Sequence, residues 1–126
     1  MSRALDDLDP VFRPYAMALL ARCVEAGILV AIVNTRRTAA EQAANVAKGV
    51  SWVAHSKHQD GLAIDVAPYA VWAEHGENKL NWDAEDPVWW RIGQIGESLG
   101  LRWGGRFSQV DPGHLEYVTP KPTEAA

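Results

Sequence analysis

The sequence is poor in the features that would commit it to an oxidising compartment, a membrane or a nucleic acid. It has one cysteine, Cys23, so no internal disulfide can form and folding requires no oxidising environment. No stretch approaches the roughly 18 consecutive apolar residues of a membrane span, which excludes helical membrane insertion. The N-terminus carries Asp6, Asp7 and Asp9 and lacks the apolar core of a signal peptide, so synthesis in the cytoplasm without a signal peptide is expected. Excess positive charge is missing too. A formal net charge of −4 argues against a nucleic-acid or anionic-membrane binder, which needs a basic face. Repeats, linkers and low-complexity segments are absent.

What remains is the composition of a globular protein, 48% apolar and 22% charged. Its 126 residues suffice for one domain with a real core, expected over 1–126 with a frayed tail from about 119. Six tryptophans are many for this length, and aromatics at that density line a core and often a ligand groove as well.

Asp9-Pro10 reads as a helix cap followed by proline at the first helical position. Val11, Tyr15, Leu19 and Cys23, with Phe12, Leu20 and Val24, form an apolar stripe at helical spacing that Gly27 can end, leaving Cys23 as a small core residue. Residues 28–33 are apolar and rich in β-branched side chains, which predicts a buried strand. Thr38 and Glu41 have the spacing of a capping box and open a short helix to about Lys48. Residues 49–60 lack periodicity and are expected to be loop. Leu62 to Val66 alternates as a strand would, ending at Pro68, and residues 69–85 read as an irregular excursion. Asp86-Pro87 repeats the cap-plus-proline signal before Val88, Ile92, Ile95 and Leu99, with Gly100 closing that helix. Residues 101–103 and 114–118 are strand candidates. The order predicts an α+β fold, a small antiparallel sheet with helices packed on one side.

The chemistry concentrates in two stretches, Ser56 to Asp65 and Asp111 to Glu116. His58, Asp65 and His114 are the donor types of a catalytic zinc site, which uses three protein ligands and leaves a fourth position for water. A His-His-Asp set also accepts other divalent ions. Fully extended, the seven residues from His58 to Asp65 would span roughly 23 Å, so the chain must turn between them, and Gly61 permits the turn. Ala63 shares a strand face with Asp65, and its small side chain leaves room for a metal and a substrate. Asp111-Pro112-Gly113-His114 is a turn sequence of the type II pattern, which brings Asp111 close to His114 without any tertiary assumption. Asp111 could then take a proton during attack by a metal-activated water. Glu116 falls on the strand face of His114, where it can orient the imidazole. The burial of Asp65 in an apolar strand also needs a partner, since an unpaired buried carboxylate is costly.

Ser56-x-His58-x-x-Gly61-x-Ala63-x-Asp65, followed by Trp103-Gly104-Gly105 and Asp111-x-x-His114-x-Glu116, resembles the zinc peptidases of the bacterial cell wall. That family groups D-alanyl-D-alanine carboxypeptidases and dipeptidases with bacteriophage L-alanyl-D-glutamate endopeptidases (endolysins), and the resemblance covers about residues 34–117. It implies one zinc ion on His58, Asp65 and His114, with Asp111 as catalytic base. The segment Arg37-Thr38-Ala39-Ala40-Glu41-Gln42 is similar to the family's Arg-Ser-x-x-x-Gln element, which implies that Arg37 steadies the substrate carbonyl or the oxyanion. Arg36 competes for that role. Ser56 would position substrate or brace its loop, and a serine nucleophile is disfavoured because no His-Asp pair is left to activate it.

The Trp-Gly-Gly element and an aspartate base resemble the endopeptidase branch most. The expected substrate is the peptidoglycan stem peptide, cut between L-alanine and D-glutamate by a monomer acting on the cell wall after release. That route implies a holin-type helper, with no nucleic acid and no membrane insertion. A D-alanyl-D-alanine carboxypeptidase or dipeptidase is the rival enzyme, and a non-catalytic, zinc-stabilised wall-binding module is the rival of another class. A bare α+β domain without metal is a further alternative. His55 and His75 match no ligand position and are expected on the surface. Trp72, Trp82, Trp89 and Trp90 could shape a groove, although helical spacing places Trp89 in the core.

Overall fold

A computed structural model describes residues 2–49, 55–70 and 79–119. Helix α1 runs Arg13–Glu25, strand β1 Val30–Asn34, α2 Ala39–Ala47, β2 Ala63–Pro68, α3 Pro87–Ser98, β3 Arg102–Trp103 and β4 His114–Glu116. The four strands form one antiparallel sheet in the order β1-β2-β4-β3, so the fold is α+β as the sequence predicts.

The helices begin and end where local chemistry directs them, with one shift. Asp9 does serve as a cap, its Oδ1 accepting the Val11 N–H at 2.9 Å, but a turn precedes the regular helix, which starts at Arg13. Thr38 and Glu41 close a reciprocal capping box on α2. Asp86 Oδ1 accepts the Val88 N–H at 2.9 Å beside Pro87 in the first turn of α3. Gly27 and Gly100 follow α1 and α3 with φ of 77° and 85°, the left-handed geometry that ends a helix. The buried face of α1 is Ala16, Leu19 and Cys23, continued by Phe12 just before the helix, while Val11, Tyr15 and Val24 are exposed. The stripe is therefore rotated from the expected one. Ala16 lies on the inner side, and near Leu19 a Cβ at Gly96 would lie 2.0 Å from Leu115.

Sheet parity separates core from site. Ile64 and Val66 of β2 and Leu115 of β4 join the core with Phe12 and with Leu19 and Cys23 of α1 and Ile92 of α3. The intervening residues Ala63, Asp65, His114 and Glu116 therefore face the other way. The stretch 28–33 is not a buried strand. The ladder begins at Val30 and lies at a sheet edge, with Ile28 buried but Leu29 exposed, because among the described residues β1 pairs only with β2. The excursion after Pro68 is closed at its base: Tyr69 bridges Leu80 and the Ala70 N–H donates to the Lys79 carbonyl at 2.7 Å. Its residues 71–78, with Trp72 and His75, lie outside the described residues, as does nearly all of the expected tail. Among the described residues no helix is long and apolar enough to cross a membrane.

Candidate metal centre

Asp65 and His114 are direct partners across β2 and β4, which puts both side chains on the face away from α1 and α3. His58 comes from the turn that precedes β2. The Gly61 N–H donates to the His58 carbonyl at 3.3 Å and the Leu62 N–H to the Lys57 carbonyl at 3.0 Å, folding the chain back toward the sheet. Gly61 has φ of 71°, and a Cβ there would lie 2.7 Å from the Asp9 nitrogen, so this position excludes any other residue on two grounds.

The donor atoms of His58, Asp65 and His114 all lie within 4.8 Å of one another. The Asp65 carboxylate stands between the two imidazoles, Oδ2 at 3.2 Å from His58 Nε2 and Oδ1 at 3.1 Å from His114 Nδ1. Each ring is aimed by its other nitrogen. His58 Nδ1 lies 2.7 Å from the Thr35 carbonyl, which can only accept, so the hydrogen sits on Nδ1 and the Nε2 lone pair faces the cluster. His114 Nε2 lies 2.7 Å from Glu116 Oε1 and donates there, which turns Nδ1 toward Asp65. His58 Nε2 is buried yet has no hydrogen-bond partner among the described residues. A buried, unpaired imidazole nitrogen facing a carboxylate and a second imidazole fits a divalent cation, and the two-imidazole, one-carboxylate set suits zinc.

The charges are tuned accordingly. Burial pushes the Asp65 carboxyl up, but the two imidazoles beside it, His114 and His58, outweigh it and hold the group well below the usual carboxylate range. Burial lowers His114, yet its bonds to Asp65 and Glu116 and the charges of Asp65 and Asp111 push it up to about 9. Glu116 is held ionised against burial by His114 and by Lys57, whose Nζ lies 3.2 Å away.

The turn that joins Asp111 to His114 closes as expected, with the His114 N–H donating to the Asp111 carbonyl at 3.1 Å. It is not type II, because Gly113 does not have a positive φ. Glycine is needed there for approach instead: a Cβ would sit 2.5 Å from the Val66 carbonyl, which runs alongside. The Trp103-Gly104-Gly105 element braces the same turn. Trp103 Nε1 donates to the Pro112 carbonyl at 2.8 Å, the Asp111 N–H donates to the Gly104 carbonyl at 2.9 Å, and a Cβ on Gly104 would lie 2.2 Å from the Asp111 oxygen. Nothing in the local spacing of Trp103-Gly104-Gly105 announces this mechanical part.

A cleft of about 670 Å³ opens over the cluster and is lined by Arg37, Ser56, Asp111 and Glu116 as well as the three donors. Asp111 stands at its rim. Its carboxyl is held above the ordinary range, first by desolvation on its inner side and then by the charge of Asp65, against the pull of His114, His58 and Arg37. Arg37 is fixed by its Nη1 donating to Gln42 Oε1 at 2.5 Å and by its N–H donating to the His58 carbonyl at 3.0 Å. Arg36 does not line this cleft and instead reaches toward the Asp7 carbonyl. Ser56 braces the turn, its Oγ accepting the His58 N–H at 3.2 Å. His55 is exposed at the cleft edge and pairs with Asp60 at 3.0 Å. Trp82, Trp89 and Trp90 do not line the cleft. Trp89 is buried, with Trp82 stacked on it, and Trp90 meets Trp103 edge-on. Two cleft residues the sequence reading missed are Lys57 and Arg102. Lys57 lies inside the quoted motif, and Arg102 is the cross-strand partner of Glu116, a relation that only the β3–β4 register reveals.

A fold with two imidazoles and a carboxylate converging under an aspartate and an arginine defines a metallopeptidase-type site. The family model described as D-alanyl-D-alanine carboxypeptidase matches residues 49–117, and the chain belongs to that family. It is 33% identical over 107 residues to the L-alanyl-D-glutamate peptidase of Escherichia phage T5, covering 69% of this chain and 74% of that protein. It is 30% identical over 129 aligned positions to the peptidoglycan L-alanyl-D-glutamate endopeptidase CwlK of Bacillus subtilis, covering 89% and 74%. The fold is that of the Serratia marcescens L-Ala D-Glu endopeptidase ChiX, with a TM-score of 0.69 at 19% identity over 90% of this chain and 83% of the other.

Proposed function

We propose that this chain is a zinc-dependent peptidoglycan hydrolase that cuts the stem peptide between L-alanine and D-glutamate. The observation that carries the reading is the His58–Asp65–His114 cluster, whose imidazole nitrogens and carboxylate converge beneath a cleft lined by Asp111 and Arg37. Two relatives that share at least 30% of their aligned residues with this chain bear names that specify the same bond.

His58, Asp65 and His114 would hold the ion. Bound there, zinc would lower the pKa of a coordinated water toward about 7 and polarise the scissile carbonyl. Asp111 accepts the proton of the attacking water at its carboxylate and returns it to the departing amide nitrogen, a task suited to a carboxyl held above its ordinary range. Arg37, fixed by Gln42, donates to the carbonyl oxygen as negative charge develops. Glu116 keeps the hydrogen of His114 on Nε2 and so keeps Nδ1 available to the metal. Ser56 keeps the His58 turn in place. The protein acts on the cell wall as a single-domain monomer with a holin-type helper for release.

The family description favours one second reading, removal of a terminal D-alanine by the same residues. Digestion of defined muropeptides, with product masses and with or without a chelator, separates the two. Chelator-sensitive scission between alanine and glutamate is expected, whereas loss of D-alanine alone assigns the chain to the carboxypeptidases.

A further inference from the structure

Among the described residues, four Lys and Arg side chains line the cleft: Arg37, Lys57, Arg102 and Arg106. Three have committed donors. Arg37 binds Gln42, Lys57 donates to the Tyr117 carbonyl at 2.6 Å and pairs with Glu116, and Arg106 makes two bonds to Glu97 at 2.6 and 3.0 Å. Arg102 differs. Among the described residues its guanidinium has one charged neighbour, Glu116 Oε2 at 3.9 Å, which is too long for a hydrogen bond. Its side chain is 64% exposed. It is nevertheless held, because its Cζ lies 4.6 Å from the centre of the Phe107 ring. That ring also packs against His114, centroid to centroid at 5.6 Å. The β3–β4 register opposes Arg102 to Glu116, two residues from His114, so it belongs to the site face of the sheet. Arg37 follows β1 at one edge of the sheet and Arg102 lies on β3 at the other, and the two arginines flank the donor cluster.

We infer that Arg102 anchors a free carboxylate of the substrate, that of the glutamate beside the scissile bond; this rests on the alanyl-glutamate reading above. A glutamate joined to the next residue through one carboxyl keeps its other carboxyl free, so the departing half of the substrate is anionic close to the cut. The cleft meets that half with Asp65, Asp111 and Glu116 in a chain of net charge −4, and a local cation with spare donors offsets the repulsion. A guanidinium matches a carboxylate with two parallel N–H donors, and the ring beneath it preorganises that fork. Arg102 sits one aromatic ring beyond His114. That distance suits a carboxylate next to the scissile amide, where one residue spans about 3.3–3.6 Å, and not the scissile carbonyl itself.

The test compares two peptides that differ only in this group, the free glutamate carboxylate and its carboxamide, cut by the zinc-loaded wild type, Arg102→Gln and Arg102→Lys. The wild type is expected to favour the free acid by about tenfold in kcat/KM, carried by KM and not by kcat, which is the scale of one charge-assisted contact. In Arg102→Gln the two peptides should be cut within about twofold of each other, and Arg102→Lys should fall between. Zinc stoichiometry equal to that of the wild type shows that the variants are folded. An acid-to-amide ratio unchanged in Arg102→Gln, or a wild type indifferent to amidation, overturns the anchor while leaving the bond assignment intact. Product masses that place the cut at any other bond overturn both.

Discussion

On β4, three consecutive residues live in two chemistries. Leu115 points to α1 and α3 and is fully buried among Ile64, Val66 and Ile92, while His114 and Glu116 point to the opposite face and bond to each other and to Asp65 and Lys57. The same holds on β2, where Asp65 lies between Ile64 and Val66. A strand's period of two is enough to back a charged centre directly with an apolar core. The rigidity of one face then fixes the distances on the other. The difference teaches that stability and chemistry are separable here residue by residue, and substitutions on adjacent positions should divide them.

The largest expected effect lies on the site face. Asp111→Asn should lower the rate of stem-peptide cleavage by about 10²–10⁴-fold with zinc still bound, as steady-state kinetics beside metal analysis will read, because it removes the proton acceptor and no ligand. Turnover near the wild-type level contradicts the assigned role. Next comes the core face. Leu115→Ala removes a fully buried side chain that touches Gly96 of α3, and should cost about 2–5 kcal/mol in denaturant unfolding. A loss confined to metal affinity, with stability kept, would erase the division between the faces.

One position along, Glu116→Gln should do the reverse. It removes the charge that receives the His114 Nε2 hydrogen, and should weaken zinc affinity by about 10–100-fold in competition titrations with small change in unfolding free energy. The gentlest perturbation, which changes no residue, is a shift of pH. His114 is pushed up to about 9 by Asp65 and Glu116, so in the absence of metal its protonated form adds stability that is complete below its ordinary 6.5 and is lost as pH rises through 9. Zinc must displace that proton from Nδ1. Apparent zinc affinity should therefore rise by about tenfold per pH unit as pH approaches 9 and then level off, and a flat titration would show that Nδ1 is not the donor.

Much of this was legible in the residues. Helix starts announced themselves through Asp86-Pro87 and the Thr38–Glu41 pair, because capping is local chemistry. The donor set was legible because Gly61 and the turn at Asp111 constrain the chain on a scale of a few residues. What escaped depends on partners distant in sequence. The apolar period of α1 was visible, but its phase was chosen by where Ala16 and Leu19 could pack, not by the strongest stripe. An apolar run such as 28–33 has the same pattern at a sheet edge as in its middle. Gly113 reads as a turn residue, yet the nearby Val66 carbonyl is what requires it. The role of Arg102 follows from β3 lying beside β4, a fact of topology that no local spacing encodes.

The most direct test of the central claim is the zinc content of the purified chain at equilibrium, measured for the wild type and for His58→Ala, Asp65→Ala and His114→Ala. One tightly bound ion per wild-type chain, and its loss or severe weakening in each variant, is the predicted result. Full retention of zinc in any of the three would contradict a metal centre built from these residues.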